Sequence, residues 1–149
     1  MTVPDIRDVV PHAGRMRLLD RLVAFNGDSL TAEVVIRADG LFAHPEGVGA
    51  WVGIEYMAQA VAAYAGSEAL QCGEKVKVGF LLGTRHYACN VPYFPVGATL
   101  RVSVRRESRG DNGFGSFTCT IAGEGIAAEA TVTVIQPDNP GAIEGDSHA

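Results

Sequence analysis

The stretch that decides the fold is WVGIEYMAQAVAAYAGSEAL, residues 51–70. Its apolar side chains recur at the spacing of one helical face, i, i+3, i+4 and i+7, namely at Trp51, Ile54, Met57, Ala58, Val61, Ala62 and Ala65. Charged residues are scarce on every face of this segment. We therefore expect one long helix that is wrapped by other structure instead of lying on the outside of a sheet.

Apolar and β-branched runs on both sides of this helix predict strands. Before it, two runs near residues 18–25 and 30–38 flank the turn-forming residues 26–28, a pattern typical of a hairpin. After Gly73, further runs predict four antiparallel strands near residues 76–89, 98–108, 114–124 and 125–136. This inventory favours an α+β fold in which a curved antiparallel β-sheet is wrapped around one long central helix.

The remaining segments carry weaker signals. Residues 4–10 predict a short opening helix, and residues 38–49 contain enough glycine and proline to predict a loop without regular structure. Residues 137–149 have little to bury, so we expect a single domain over residues 1–136 and a disordered tail. A dimer is one way to cover the strand edges that such a sheet leaves open.

The composition excludes several classes of protein. The 149 residues fit one domain, and 47 % apolar residues argue against a disordered chain. The net charge of −5 provides no broad cationic surface for nucleic acid. The N-terminal segment does not resemble a signal peptide, and no apolar run approaches the roughly 18 residues of a membrane span. Cys72, Cys89 and Cys119 match neither zinc spacing nor a disulfide framework, so we expect a cytoplasmic protein with reduced thiols and no metal.

Four histidines are candidates for chemistry, and His44 stands out among them. His148 lies in the predicted tail, His86 in a predicted strand and His12 at a predicted helix end, where structural roles are the simpler interpretation. His44 lies in a glycine-rich loop directly before the long helix. The first N–H groups of a helix have no partner within it and can stabilise negative charge on a carbonyl oxygen. His44 is therefore a candidate general base beside an oxyanion site around residues 49–52.

Glu55 is the only acidic residue between Val48 and Ser67. A lone carboxylate on an apolar helix costs free energy unless it is used or paired. Gln59, one turn later, could hydrogen-bond Glu55 and make the pair a buried polar anchor. Both interpretations can hold, because an acid oriented by Gln59 could donate a proton while His44 removes one.

Other chemistries find little support in the sequence. A nucleophile elbow, a phosphate-binding loop and a zinc-peptidase motif are all missing. The basic cluster of Arg101, Arg105, Arg106 and Arg109 is most simply a solvated strand face, and a docking site for an acidic partner is the alternative.

Three segments carry a family resemblance: VVPHAGRMRLLDRLVAF at residues 9–25, HPEGVGAWVGIEYMAQAVAAYAG at residues 44–66, and GFLLGTRHYACNVPYFPVGATLRVSV at residues 79–104. They resemble the opening segment, the histidine loop with its helix, and the following strand-turn-strand of the bacterial β-hydroxyacyl-acyl-carrier-protein dehydratases. The resemblance covers about residues 5–136. The helix segment and the strand segment after it are most similar in sequence to the thioester dehydratases of aryl polyene biosynthesis clusters.

This resemblance implies a hotdog fold and a dimer in which the histidine of one subunit meets the helix acid of the other. His44 matches the family histidine, Glu55 the acid and Gln59 the glutamine one turn later. The oxyanion donor falls near Gly49 or Ala50. The resemblance implies no metal and no bound cofactor, because the substrate arrives on the phosphopantetheine arm of acyl carrier protein.

The implied activity is dehydration of a 3-hydroxyacyl thioester to the trans-2-enoyl thioester, in fatty acid or aryl polyene type lipid biosynthesis. The loop between His44 and Glu55 is shorter than in the typical enzymes, and Gly49 and Ala50 stand where those enzymes have Pro-Gly. Two alternatives therefore remain open. One is a non-catalytic partner subunit of a heterodimeric dehydratase, and the other is a hotdog thioesterase in which Glu55 or Glu46 activates water.

Overall fold

A computed structural model describes residues 3–10, 14–73, 80–109 and 114–135 of the chain. Within these ranges the two α-helices are α1 (Ile6–Val9) and α2 (Gly53–Gln71), with 3-10 turns at Gly14–Met16 and Ala50–Val52. The strands are β1 (Arg21–Phe25), β2 (Ser29–Val35), β3 (Ala43–His44), β4 (Gly47–Gly49), β5 (Phe80–Cys89), β6 (Tyr93–Phe94), β7 (Thr99–Arg109), β8 (Phe114–Gly123) and β9 (Ile126–Ile135).

Six strands form one antiparallel sheet in the order β1-β2-β7-β8-β9-β5. The sheet is open, with β1 and β5 at its two edges. Alternate residues of each long strand face the core; in β7 these are Leu100, Val102 and Val104, all buried. The predicted antiparallel sheet and the hairpin around residues 26–28 are confirmed.

Helix α2 packs against β2, β7 and β8 on the inner face of this sheet. None of residues 52–69 is exposed, which confirms the prediction of a central, largely buried helix. The scarcity of charge on every face explains this position, since a helix without a polar face gains most when all of its sides are covered. Helix α1 packs on α2 at Gly66, where an added Cβ would lie 2.7 Å from the Val9 carbonyl oxygen.

Two parts of the sequence interpretation were wrong. The segment 38–49 is not free of regular structure, because β3 and β4 lie within it and pair with β6 in a second, short sheet. The stretch between the predicted strands at 76–89 and 98–108 likewise contains regular structure, namely β6. The physical reason is the pairing of Val48 with Phe94, both buried, which supports two glycine- and proline-rich segments that carry no local strand signal.

The boundaries of several elements also differ from those predicted. Helix α2 follows a 3-10 turn and begins at Gly53 instead of residue 51, and β2 ends at Val35 instead of residue 38. Some predictions lie outside the described residues. These are His12, His148, the strand start at 76–79, the connection between the predicted strands at 98–108 and 114–124, and the tail at 137–149.

Candidate active site

The short sheet holds His44 next to the start of the long helix. His44 ends β3 and pairs with Gly47 of β4 across a tight turn, and its side chain is exposed. Gly47 has φ +120°, and an added Cβ would overlap the carbonyl oxygen of Phe94. Only glycine fits both conditions, so this turn, and with it the place of His44, depends on Gly47.

The first helical residues follow β4 directly, and one of the two predicted oxyanion donors is already bonded. The Ala50 N–H donates to the Pro92 carbonyl oxygen at 2.9 Å and continues the β4–β6 pairing. Bonded and non-bonded pairs alternate along an antiparallel ladder. The Gly49–Tyr93 pair is therefore of the non-bonded kind, and the Gly49 N–H is directed away from β6. To donate to substrate, the Ala50 N–H would thus have to give up its hydrogen bond to Pro92.

The next amide along the chain, that of Trp51, has no hydrogen-bond acceptor among the described residues. Among the described residues, no main-chain or side-chain acceptor takes the Trp51 N–H, and Gly49 at the N-cap has no side chain to offer. The indole of Trp51 lies over Gly49 and contacts the Phe42 ring edge-on at 5.5 Å between centroids. Trp51 is nevertheless 61 % exposed as a residue. An unbonded N–H at a helix start is suited to hold negative charge.

Glu55 lies in the first turn of α2 and is half-buried. Within the part of the chain that the structure describes, no hydrogen bond or ion pair joins Glu55 or His44 to another residue. A carboxylate in this position interacts favourably with the positive end of the helix dipole. The helix therefore presents one acid near its start that has no partner among the residues described.

Gln59 is 1 % exposed and uses both ends of its amide elsewhere. Its Oε1 accepts from the Leu18 N–H at 2.8 Å, and its Nε2 donates to the Met16 carbonyl oxygen at 2.7 Å. Gln59 thus fastens the segment before β1 to the helix. Its predicted role in orienting Glu55 stays a prediction.

Tyr87 belongs to the site, although sequence reasoning missed it. Its hydroxyl donates to the Ala50 carbonyl oxygen at 2.5 Å, and an added Cβ on Gly53 would overlap that hydroxyl. Burial, followed by the nearby Cys89, raises the pKa of Tyr87 well above its usual range. The hydroxyl is therefore neutral at physiological pH and donates to the helix start. No local pattern of β5 indicates this contact.

The predicted basic cluster is divided among different contacts. Arg106 forms an ion pair with Glu68 at 2.7 Å and lies over the Tyr64 ring. Arg101 and Arg105 are exposed. Arg101 lies 3.8 Å from Glu33, and Arg105 lies 3.7 Å from Glu107. The side chain of Arg109 lies outside the described residues. This arrangement favours the simpler interpretation, a solvated strand face with ion pairs.

The described ranges also contain no group of His, Cys, Asp and Glu side chains that could hold a metal ion. No helix in them is long and apolar enough to cross a membrane.

An open antiparallel sheet packed on one long helix defines a protein of the hotdog class, as predicted. The family model of the ApeP-like proteins, described as ApeP dehydratase, matches residues 4–144, and the chain belongs to this family. The resemblance to the dehydratases of aryl polyene clusters is thereby confirmed. No curated protein matches the sequence.

Among solved structures, the dehydratase heterocomplex ApeI:P from Xenorhabdus doucetiae is similar with a TM-score of 0.85 and 26 % identity, over 98 % of this chain and 99 % of that chain. The E. coli PaaI protein from the phenylacetic acid degradation operon gives 0.60 and 14 %, over 77 % and 81 %. The protein smu.793 from Streptococcus mutans, bound to acetyl CoA, gives 0.59 and 14 %, over 77 % and 86 %. The last two similarities show the fold alone.

Proposed function

We propose that this chain is a subunit of a cytoplasmic dehydratase that removes water from a 3-hydroxyacyl thioester carried on acyl carrier protein, in aryl polyene or fatty acid type lipid biosynthesis. The observation that carries the proposal is Glu55, a half-buried acid at the start of the central helix of an ApeP-family chain, for which the described residues provide no hydrogen-bond or ion-pair partner. The three cysteines form no disulfide, which suits a reducing compartment.

In this proposal His44 is the general base of one site and Glu55 the general acid of another, and each acts across the interface with the complementary group of the neighbouring subunit. His44 takes a proton from C2, the carbon next to the thioester carbonyl, while N–H groups at the helix start hold the negative charge on the thioester oxygen. Glu55 gives its proton to the hydroxyl on C3. The C2–H and C3–O bonds break, the C2–C3 double bond forms, and water leaves. His44 and Glu55 then return to their starting states by proton exchange with solvent. The phosphopantetheine arm comes with the carrier protein, so the chain needs no cofactor of its own.

We further propose that the site is completed by a second, related dehydratase subunit. The ApeI:P structure is described as a heterocomplex of dehydratases. In this chain His44 is exposed, and the exposed apolar side chains of Leu41, Trp51 and Tyr93 lie on or beside the short sheet that carries it. Exposed apolar side chains gathered around a candidate site support an interface there.

A second candidate function is a subunit that completes a partner's site without doing chemistry. The bond between the Ala50 N–H and Pro92 favours it, because this bond occupies one of the two predicted oxyanion donors. Loss of such a donor costs typically 10² to 10³ in turnover.

The test follows an intact 3-hydroxyacyl carrier-protein thioester by mass spectrometry. The purified chain is measured alone and mixed with a purified subunit of the ApeI type, as wild type, His44→Ala and Glu55→Gln. We expect loss of one water, and about 10²-fold slower loss when His44 is replaced.

Three outcomes oppose the proposal in different ways. Full activity of both the His44→Ala and the Glu55→Gln mixtures would make the chain the non-catalytic partner. Loss of the whole acyl group would make it a thioesterase. An unchanged mass in every mixture would reject both activities.

A further inference from the structure

Tyr87 reaches the helix start because β5 contains an extra residue between Arg85 and Ala88. Arg85 pairs with Thr131, but Ala88 pairs with Glu129, so His86 and Tyr87 together oppose a single residue, Ala130. This is a β-bulge, and within it His86 takes the left-handed conformation, φ +57°.

The bulge decides which way Tyr87 points. Thr84 faces the core, where its hydroxyl oxygen is buried, and Arg85 is exposed. Strict alternation would then place Tyr87 on the outer face with Arg85. The extra residue reverses the alternation and turns Tyr87 inward, onto α2. A left-handed non-glycine residue costs free energy. The reversed alternation therefore persists although the backbone of His86 is locally unfavourable.

The contact made there helps to fix one peptide unit, whose carbonyl oxygen also accepts from the Gly53 N–H. The Tyr87 hydroxyl donates to the Ala50 carbonyl oxygen, and the same peptide plane carries the Trp51 N–H. In a planar trans peptide the C=O and the N–H point in opposite directions. Fixing the Ala50 oxygen therefore fixes the direction of the Trp51 N–H, which points away from Tyr87 and has no acceptor among the described residues.

We propose that Tyr87 is a positioning residue that aims the Trp51 N–H at the thioester oxygen of the substrate. This inference rests on the proposed dehydratase function and adds to it a specific donor, Trp51, in place of the occupied Ala50 amide. Tyr87 does not touch substrate in this proposal. It acts through the peptide that it holds.

The chain provides a matched control at the other end of the same helix. The Tyr64 hydroxyl also donates to a main-chain carbonyl, that of Gly27, at the same 2.5 Å, and it lies 3.1 Å from Oε2 of Glu68. Tyr64→Phe therefore removes a similar bond from α2 without affecting the helix start, whereas Tyr87→Phe removes the bond to Ala50.

The experiment compares the two variants by dehydration kinetics and by the fluorescence of Trp51, the single tryptophan of the chain. Kinetics use the assembly that is active as wild type. We expect Tyr87→Phe to lower kcat about tenfold or more, with KM changed less than twofold, because a misaimed donor weakens binding of the transition state. Tyr64→Phe leaves both constants unchanged. Acrylamide quenching of Trp51 increases in Tyr87→Phe only.

The two readouts separate failure of this inference from failure of the proposed function. Equal kcat in the two variants of an active assembly would overturn the role of Tyr87. If no assembly dehydrates the substrate, the proposed function fails. Acrylamide quenching then still tests whether Tyr87 fixes the peptide between Ala50 and Trp51. Equal quenching in both variants would then overturn the inference as well.

Discussion

His86 has a backbone conformation that only glycine adopts without cost. Its φ of +57° places an exposed L-residue in the left-handed region, at roughly 1–2 kcal/mol. We expect His86→Gly to keep the free energy of unfolding or raise it by up to about 1 kcal/mol, since the relief is partly offset by the greater freedom of glycine in the unfolded chain. His86→Val, which is β-branched, lowers it by about 1–2 kcal/mol or more. Urea unfolding measures both, and equal midpoints would contradict the assignment.

The buried thiol of Cys119 makes the free energy of unfolding decrease at alkaline pH. Burial raises the pKa of its thiol from 9.0 to about 12. Below pH 9 the thiol is neutral in the folded and unfolded chains alike. Above pH 9 the unfolded chain ionises first, so this stability is lost as the pH rises towards 12. Between pH 8 and 11 we expect wild type to lose up to about 2 kcal/mol more than Cys119→Ala. Parallel curves for the two proteins would contradict the prediction.

At the scale of elements, the start of α2 depends on Gly53, because this position has no room for a Cβ atom. Alanine is normally a better helix former than glycine by roughly 1 kcal/mol. In Gly53→Ala the new Cβ would overlap the Tyr87 hydroxyl and lie 3.0 Å from Cδ1 of Ile121. We therefore expect Gly53→Ala to destabilise the protein by about 1–3 kcal/mol. In the Tyr87→Phe background the loss is smaller. A double-mutant cycle from thermal unfolding measures this coupling, and simple additivity would reject it.

The elements differ in how well sequence alone predicts them, and the reason is the range of the interactions that form them. Helix α2 was predictable because its apolar spacing is local. Strands β3, β4 and β6 were not, because they depend on the long-range pairing of Val48 with Phe94. The candidate residues His44 and Glu55 stand out by type and place. The bond from Ala50 to Pro92 and the inward turn of Tyr87 depend on register and on a bulge, which no periodicity reveals.

At the scale of the whole molecule, one surface is unusually apolar for a free chain. Leu41 and Tyr93, 40 % and 39 % exposed, join Trp51 on or beside the short sheet. We expect Leu41→Lys to weaken association with a second subunit at least tenfold, because it places a charge in a contact that buries apolar side chains. Leu70, 44 % exposed near the end of α2, provides the control in Leu70→Lys. Light scattering over a dilution series measures both, and equal weakening would place the interface elsewhere.

The contact between Gly53 and Tyr87 also has a consequence for the history of the family. While Tyr87 keeps its hydroxyl against the helix, position 53 has no room for a side chain. The two positions should therefore have changed together as related chains diverged. We expect glycine at position 53 in related chains that keep the tyrosine, and alanine there only in chains that have replaced it. A set of related sequences in which alanine at position 53 commonly accompanies tyrosine at position 87 would contradict this expectation.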